Sequence, residues 1–161
     1  MVPKVKKEKI YLIFDKDKFY KRKLEKQHFE IMEYISKCEY IFNNVRNGKK
    51  SHIKRLIKVM NDLKKLMVLH FEIESKLLEL LSKSTEDDIQ KSIVQFNISF
   101  KPFLESSNSF FERCCDYNRF NELSEEEQDS LINLRYKEFK VFSKKVNFRL
   151  VFEESILFSK I

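Results

Sequence analysis

A chain with a single glycine cannot turn tightly very often. Gly48 is the one glycine among 161 residues, and Pro3 and Pro102 are the two prolines. Strand-rich folds need frequent tight turns, and those turns draw on glycine or asparagine for positive φ. So few breakers over this length predict few, long helices joined by short loops. The length suits one domain with a sizeable core. Hydrophobic residues make up 42% of the chain, and 16 Phe with no Trp give that core unusual aromatic bulk.

Several classes drop out early. No apolar run approaches the roughly 18 residues of a membrane span, and Ile10–Phe14 is shorter than a signal-peptide core. The three cysteines, Cys38, Cys114 and Cys115, are odd in number and two are adjacent. That pattern suits reduced thiols, so a cytoplasmic protein without a membrane partner is expected. With one glycine there is no phosphate-cradling loop. The net charge is +7, but residues 1–26 hold ten Lys/Arg against four Asp/Glu, leaving about +1 for the rest. A basic arm ahead of a nearly neutral body is not the stripe of a nucleic-acid reader, so nucleic acid is not expected as the main partner. The alternative reading is a basic helical module docking on an acidic protein or nucleic acid through this arm, with Phe14, Phe19 and Tyr20 as its aromatics.

Four long periodic stretches organise the chain into a basic arm over 1–14 and a helical bundle over 15–161. The first stretch runs from about Asp15 to Arg46 and stops at Asn47-Gly48, a helix-ending signal. The second spans about Lys50 to Leu81. The third opens at Ser84-Thr85, where either hydroxyl caps and the following acids suit a helix N-terminus, and continues to about Tyr117 with a bend at Pro102. The fourth opens at Ser124–Glu127, a capping box, and runs to the C-terminus. The predicted fold class is all-α, an antiparallel up-down four-helix bundle.

Steps of three and four residues trace the buried stripe of each helix. They run Leu24, His28, Ile31, Ile35, Cys38, Phe42, Val45 in the first, and Ile53, Leu56, Met60, Leu63, Met67, His70, Glu74, Leu77, Leu81 in the second. The third reads Ile89, Ile93, Phe96, Phe100, Phe103, Ser107, Phe110, Cys114, Tyr117; the fourth reads Phe139, Phe142, Val146, Arg149, Glu153, Ile156. His28, His70, Glu74, Arg149 and Glu153 therefore interrupt stripes that are otherwise almost wholly apolar. A buried charge must find a partner, a proton or a metal. Two His and two Glu facing one bundle centre make a donor set that iron, manganese or zinc accepts. A hydrogen-bonded core histidine and a carboxylate snorkelling to water are the structural alternative for each residue taken singly.

The segment QHFEIMEYISKCEYIFNNVRNGKKSHIKRLIKVMNDLKKLMVLHFEIESKLL resembles the first half of a hemerythrin-like (HHE cation-binding) domain. That family has an early His in helix one, a Gly-containing turn, and an H-x-x-x-E pair in helix two. His28, His70 and Glu74 stand at those positions. NFRLVFEESILF resembles the family's closing segment, with Glu153 at its acid and Arg149 where a second His belongs. The resemblance implies a metal site on His28, His70, Glu74 and Glu153. The family also takes His from helix three, and this chain has none after His70; Gln95, Asn97 and Ser99 are poor iron ligands. A standard di-iron centre and reversible oxygen binding are therefore not expected. Two arrangements remain open. In one, Arg149 forks onto the carboxylates and replaces metal charge, giving a metal-free polar cluster without cofactor. In the other, two His and a carboxylate hold a single iron or other divalent ion. Either way the expected role is non-catalytic: binding or sensing related to iron, oxygen or nitric oxide, or a structural descendant acting through a protein partner. His52 is expected to face solvent, and Cys114 to pack as a small hydrophobe.

Overall fold

A computed structural model describes the backbone of residues 4–161 and the side chains of residues 16–161. Four long helices and one short one follow in order: α1 Lys4–Arg46, α2 Ile53–Leu81, α3 Asp87–Cys114, α4 Tyr117–Asn121 and α5 Glu125–Phe152. A 3-10 turn, Lys50–His52, leads into α2. The described residues contain no strand, so this is an all-α four-helix bundle. α1 begins ahead of the expected start at Asp15 because neither Gly nor Pro lies between Lys4 and Asp15 to stop it. The side chains of the basic arm, Phe14 included, lie outside the described residues. Phe19 is exposed and packs on the neighbouring Tyr20 ring.

Gly48 earns its uniqueness at the first turn. Its φ is +101°, a region that costs an L side chain dearly. The Gly48 N–H bonds to the Val45 carbonyl and the Lys49 N–H to the Asn44 carbonyl, the paired bonds of a Schellman stop. The other predicted signals divide. Ser124 caps α5 as a complete capping box, its hydroxyl accepting from the Glu127 N–H while the Glu127 carboxylate accepts from the Ser124 N–H. Ser124→Ala is expected to cost about 1 kcal/mol, read from a urea melt; an unchanged midpoint counts against the cap. The expected Ser84 or Thr85 cap of α3 is not formed. Glu86 is the N-cap and has no side-chain cap bond, because the Ser84 hydroxyl is turned to the Glu86 N–H inside the loop. The loop is closed instead by Gln90, whose amide donates to the Ser82 and Ser84 carbonyls.

Contacts at both ends of the helices fix their directions. Arg46 meets Asn133 at one end of the α1–α5 pair and His28 meets Glu153 at the other, so the two helices oppose. Arg113 to Glu138 and Arg149 to Ser99 do the same for α3 and α5. Every stripe residue named for α1 and α2 is buried. The apolar ones form two separate clusters. The larger holds Ile31 through Val45, Ile53 through Met67, and the rings of Phe110, Phe139 and Phe142, with Phe110 and Phe142 stacked at 4.4 Å. The smaller holds Leu24, Leu77, Leu81, Ile89, Ile93, Phe96, Leu157 and Phe158. Between them lies the polar layer.

Two stripes depart from the expected period. Phe100 and Phe103 on α3, Cys114 at its end and Tyr117 at the start of α4 are only half-buried, Phe103 because it borders the gap where α3 and α5 part around Pro102. On the fourth stripe, Leu157 is buried where Ile156 was expected. The backbone widens into a π-turn at Glu153–Leu157, and the extra residue advances the inward position by one. α4, capped by Asp116, was not foreseen; a five-residue helix is too short to show a period.

Candidate metal centre

The five ionisable residues singled out on the stripes do converge: His28, His70, Glu74, Arg149 and Glu153 are all buried. Glu153 is their hub. Its Oε2 lies 2.6 Å from His28 Nε2 and 3.1 Å from His70 Nε2. Its Oε1 lies 3.5 Å from Arg149 Nε. Arg149 Nη2 donates to Glu74 Oε1 at 3.0 Å, and Nη1 donates to the Ser99 hydroxyl at 2.8 Å. The guanidinium carbon sits 3.7 Å from the centre of the Phe96 ring, so a cation–π contact holds its other face. Glu74 Oε2 comes within 3.5 Å of His70 Nε2 but has no hydrogen-bond partner.

Three further residues complete the layer. Glu154 Oε1 accepts from His28 Nδ1 at 2.9 Å, and Gln27 Oε1 accepts from His70 Nδ1 at 3.1 Å. The Glu154 carboxylate is an acceptor only and fixes a proton on His28 Nδ1, while the Gln27 amide suits either tautomer of His70; with its proton on Nδ1 a neutral ring presents a bare Nε2 lone pair. Ser99, set aside above as an iron ligand, serves as an acceptor for Arg149. The π-turn explains Glu154: widening the backbone at Glu153 brings two consecutive carboxylates onto one imidazole. An α-helical period would turn Glu154 away, so only the adjacent acid pair in the sequence hinted at it. Gln95 and Asn97 face outward.

His28, His70 and Glu153 each place a donor atom within 4.8 Å of the other two, a set able to hold a metal ion. Glu74 stands outside that set, tied to Arg149. A di-iron centre does not fit these residues. Arg149 is already bonded to Glu74 and in contact with Glu153, and α3 supplies only a hydroxyl. One ion does fit. Each imidazole has its outer nitrogen steadied by an oxygen acceptor, the arrangement that orients metal-bound histidine.

Electrostatics make the same demand from another side. Among the buried groups, Glu74 and Glu153 against Arg149 leave one negative charge, and the exposed Glu154 adds a second that water screens; protons or a divalent cation cancel them. In the metal-free protein, protons take the role. Burial and the neighbouring Glu153 charge hold the Glu74 carboxyl well above the ordinary carboxylate range. Burial also pushes Glu153 upward, but a protonated Glu74 and the two imidazoles outweigh it and keep Glu153 ionised far into acid. Burial would lower His28, yet its bonds to Glu153 and Glu154 prevail and raise it.

The sign of the pH dependence follows. Glu153 stabilises fully above about pH 4.3, the unfolded carboxylate value. The raised His28 stabilises fully below about pH 6.5 and loses that contribution as pH climbs through its folded pKa; Glu74 acts in the same sense from about pH 4.3 upward. Metal-free protein is therefore expected to melt lower at pH 8.5 than at pH 5.5, and His28→Gln to flatten the upper part of that slope. A melting temperature that rises across the range would contradict the assignment.

The remaining candidates carry less. His52 is half-buried, not fully solvent-facing, with Nδ1 unpaired. Burial pushes the Cys38 and Cys114 thiols up to about 12, which leaves no thiolate nucleophile there. Cys114 packs half-buried against the larger core. No helix of the described residues is long and apolar enough to cross a membrane. Comparison with protein-family models, with curated proteins and with solved structures finds no match to this chain.

Proposed function

We propose that this is a divergent hemerythrin-like bundle that binds one divalent metal ion on His28, His70 and Glu153, and that it serves as a binding or sensing protein, not an enzyme. One observation carries the reading. Two imidazole nitrogens and a carboxylate converge in a dry interior, while each imidazole's outer nitrogen is held by a separate acceptor. Two His and one carboxylate with open positions suit Fe(II). When bound, such an ion supplies open positions for a small diatomic or anionic ligand. The chain's own residues do the rest. Gln27 and Glu154 orient the rings, Arg149 keeps Glu74 neutralised, and the flanking Leu24, Leu77, Ile31 and Met67 exclude water.

The test is metal loading of chelator-stripped protein. Cobalt(II) or iron(II) should bind at one ion per chain with release of protons, since metal-bound imidazole nitrogen and carboxylate must be deprotonated. Cobalt should give the visible absorption of a nitrogen- and oxygen-ligated ion. His70→Ala should abolish both. Stripped protein that takes up no ion and shows no cobalt band leaves the metal-free cluster as the correct account.

A further inference from the structure

Beside the polar layer, an opening lies between α3 and α5, where Ser99, Pro102, Phe103 and Ser106 face Lys145, Phe148, Arg149 and Phe152. On each helix these four positions follow the i, i+3, i+4, i+7 spacing of one helical face. In a closed bundle both faces would carry large apolar side chains. Here α3 offers two serines and a proline, and the gap stays open as a cleft of about 500 Å³. That volume falls within the roughly 300–1,000 Å³ of small-molecule sites.

The lining is one-sided in charge. Lys144, Lys145 and Arg149 contribute three cations, and no Asp or Glu lines the cleft. Arg149 is 96% buried, being 4% exposed, and forms part of the wall. Its terminal nitrogens are committed to Ser99, the Phe96 carbonyl and Glu74, so it offers a ligand field but no free donor pair. Lys144 and Lys145 are exposed, and the Lys145 ammonium already reaches across to the Ser106 hydroxyl at 2.9 Å. Phe103, Phe148 and Phe152 supply rings, and Phe148 stands 73% exposed.

We propose that this cleft binds an amphipathic monocarboxylate, an apolar chain or ring ending in one carboxylate. The head sits on Lys144, Lys145 and Ser106; the tail lies over Phe103, Phe148 and Phe152 toward Arg149. A cationic amphiphile meets the like charges of Lys144 and Lys145, and a neutral one gains nothing from them. The inference rests on the cleft alone and not on a bound metal.

Decanoate is a suitable probe, titrated by calorimetry into chelator-treated protein beside decanol and decyltrimethylammonium. Decanoate should bind at least roughly tenfold tighter than either analogue. The double variant Lys144→Glu, Lys145→Glu should lose at least about tenfold in decanoate affinity, while the surface pair Lys54→Glu, Lys58→Glu on α2 should not. Ser106→Trp fills the cleft without changing charge and should also abolish binding. Decanoate binding no tighter than the cation, or equal losses from both lysine pairs, overturns the proposal. If Ser106→Trp does not fold, the paired charge reversals still decide. Failure of metal uptake leaves these outcomes untouched, so the two proposals fail separately.

Discussion

Arg149→Leu is expected to destabilise the metal-free protein by about 3–5 kcal/mol, the usual cost of leaving a buried charge without its partner. For a chain of this length that corresponds to a fall in melting temperature of very roughly 10 °C. Removing the guanidinium strips Glu74 Oε1 of its donor and leaves Glu74 beside Glu153 with no cation between them. It also vacates the face of Phe96 and the hydroxyl of Ser99. Glu74→Leu added to Arg149→Leu removes both partners and should recover most of the loss, because a buried ion pair replaced as a unit costs little. An Arg149→Leu protein that melts with the native one would mean that the carboxylates are neutralised by something else.

Glu153→Gln should have the largest effect on metal binding. The substitution keeps size and shape but turns the one oxygen facing both Nε2 atoms into a weak ligand. The loss should exceed the 10–100-fold that follows removal of an outer partner such as Glu154 or Gln27, and so be more than roughly 100-fold. Calorimetry or competition with a chromogenic chelator measures it. Glu154→Gln should sit inside that range, since it touches only the outer nitrogen of His28. Equal losses for the two variants would move the ion from Glu153 toward the bundle end.

How much of this was readable in the chain depended on which helix was read. α1 and α2 are buried along one stripe against two neighbours, so every residue the three-and-four spacing named there is buried, His28, His70 and Glu74 among them, although it passed over Ile41. Ser124 and Gly48 announced their ends because each acts through its own local chemistry. α3 was harder. Its middle borders an open cleft, so Phe103 follows the apolar period and yet stays half-exposed. Aromatic spacing alone does not tell a closed core from an open groove; the small Ser99 and Ser106 beside it do. The C-terminal departure has a different cause. A π-turn has no signature in apolar spacing, so Leu157 replaced Ile156 at the inward position and Glu154 entered the site unannounced. Arg149 was legible as an anomaly because arginine on an apolar stripe demands a carboxylate, and the chain offered two.

The polar layer also sets the axial alignment of the bundle. Apolar side chains are interchangeable partners, and a helix sliding past three others by one turn, about 5.4 Å, would meet much the same hydrocarbon. Here such a slip would carry Glu74 or Arg149 in among Leu24, Leu77 or Met67, with no counter-charge in reach. The histidines, acids and guanidinium thus work as a notch on a sliding scale, admitting one setting of α1, α2 and α5 along their common axis and refusing its neighbours.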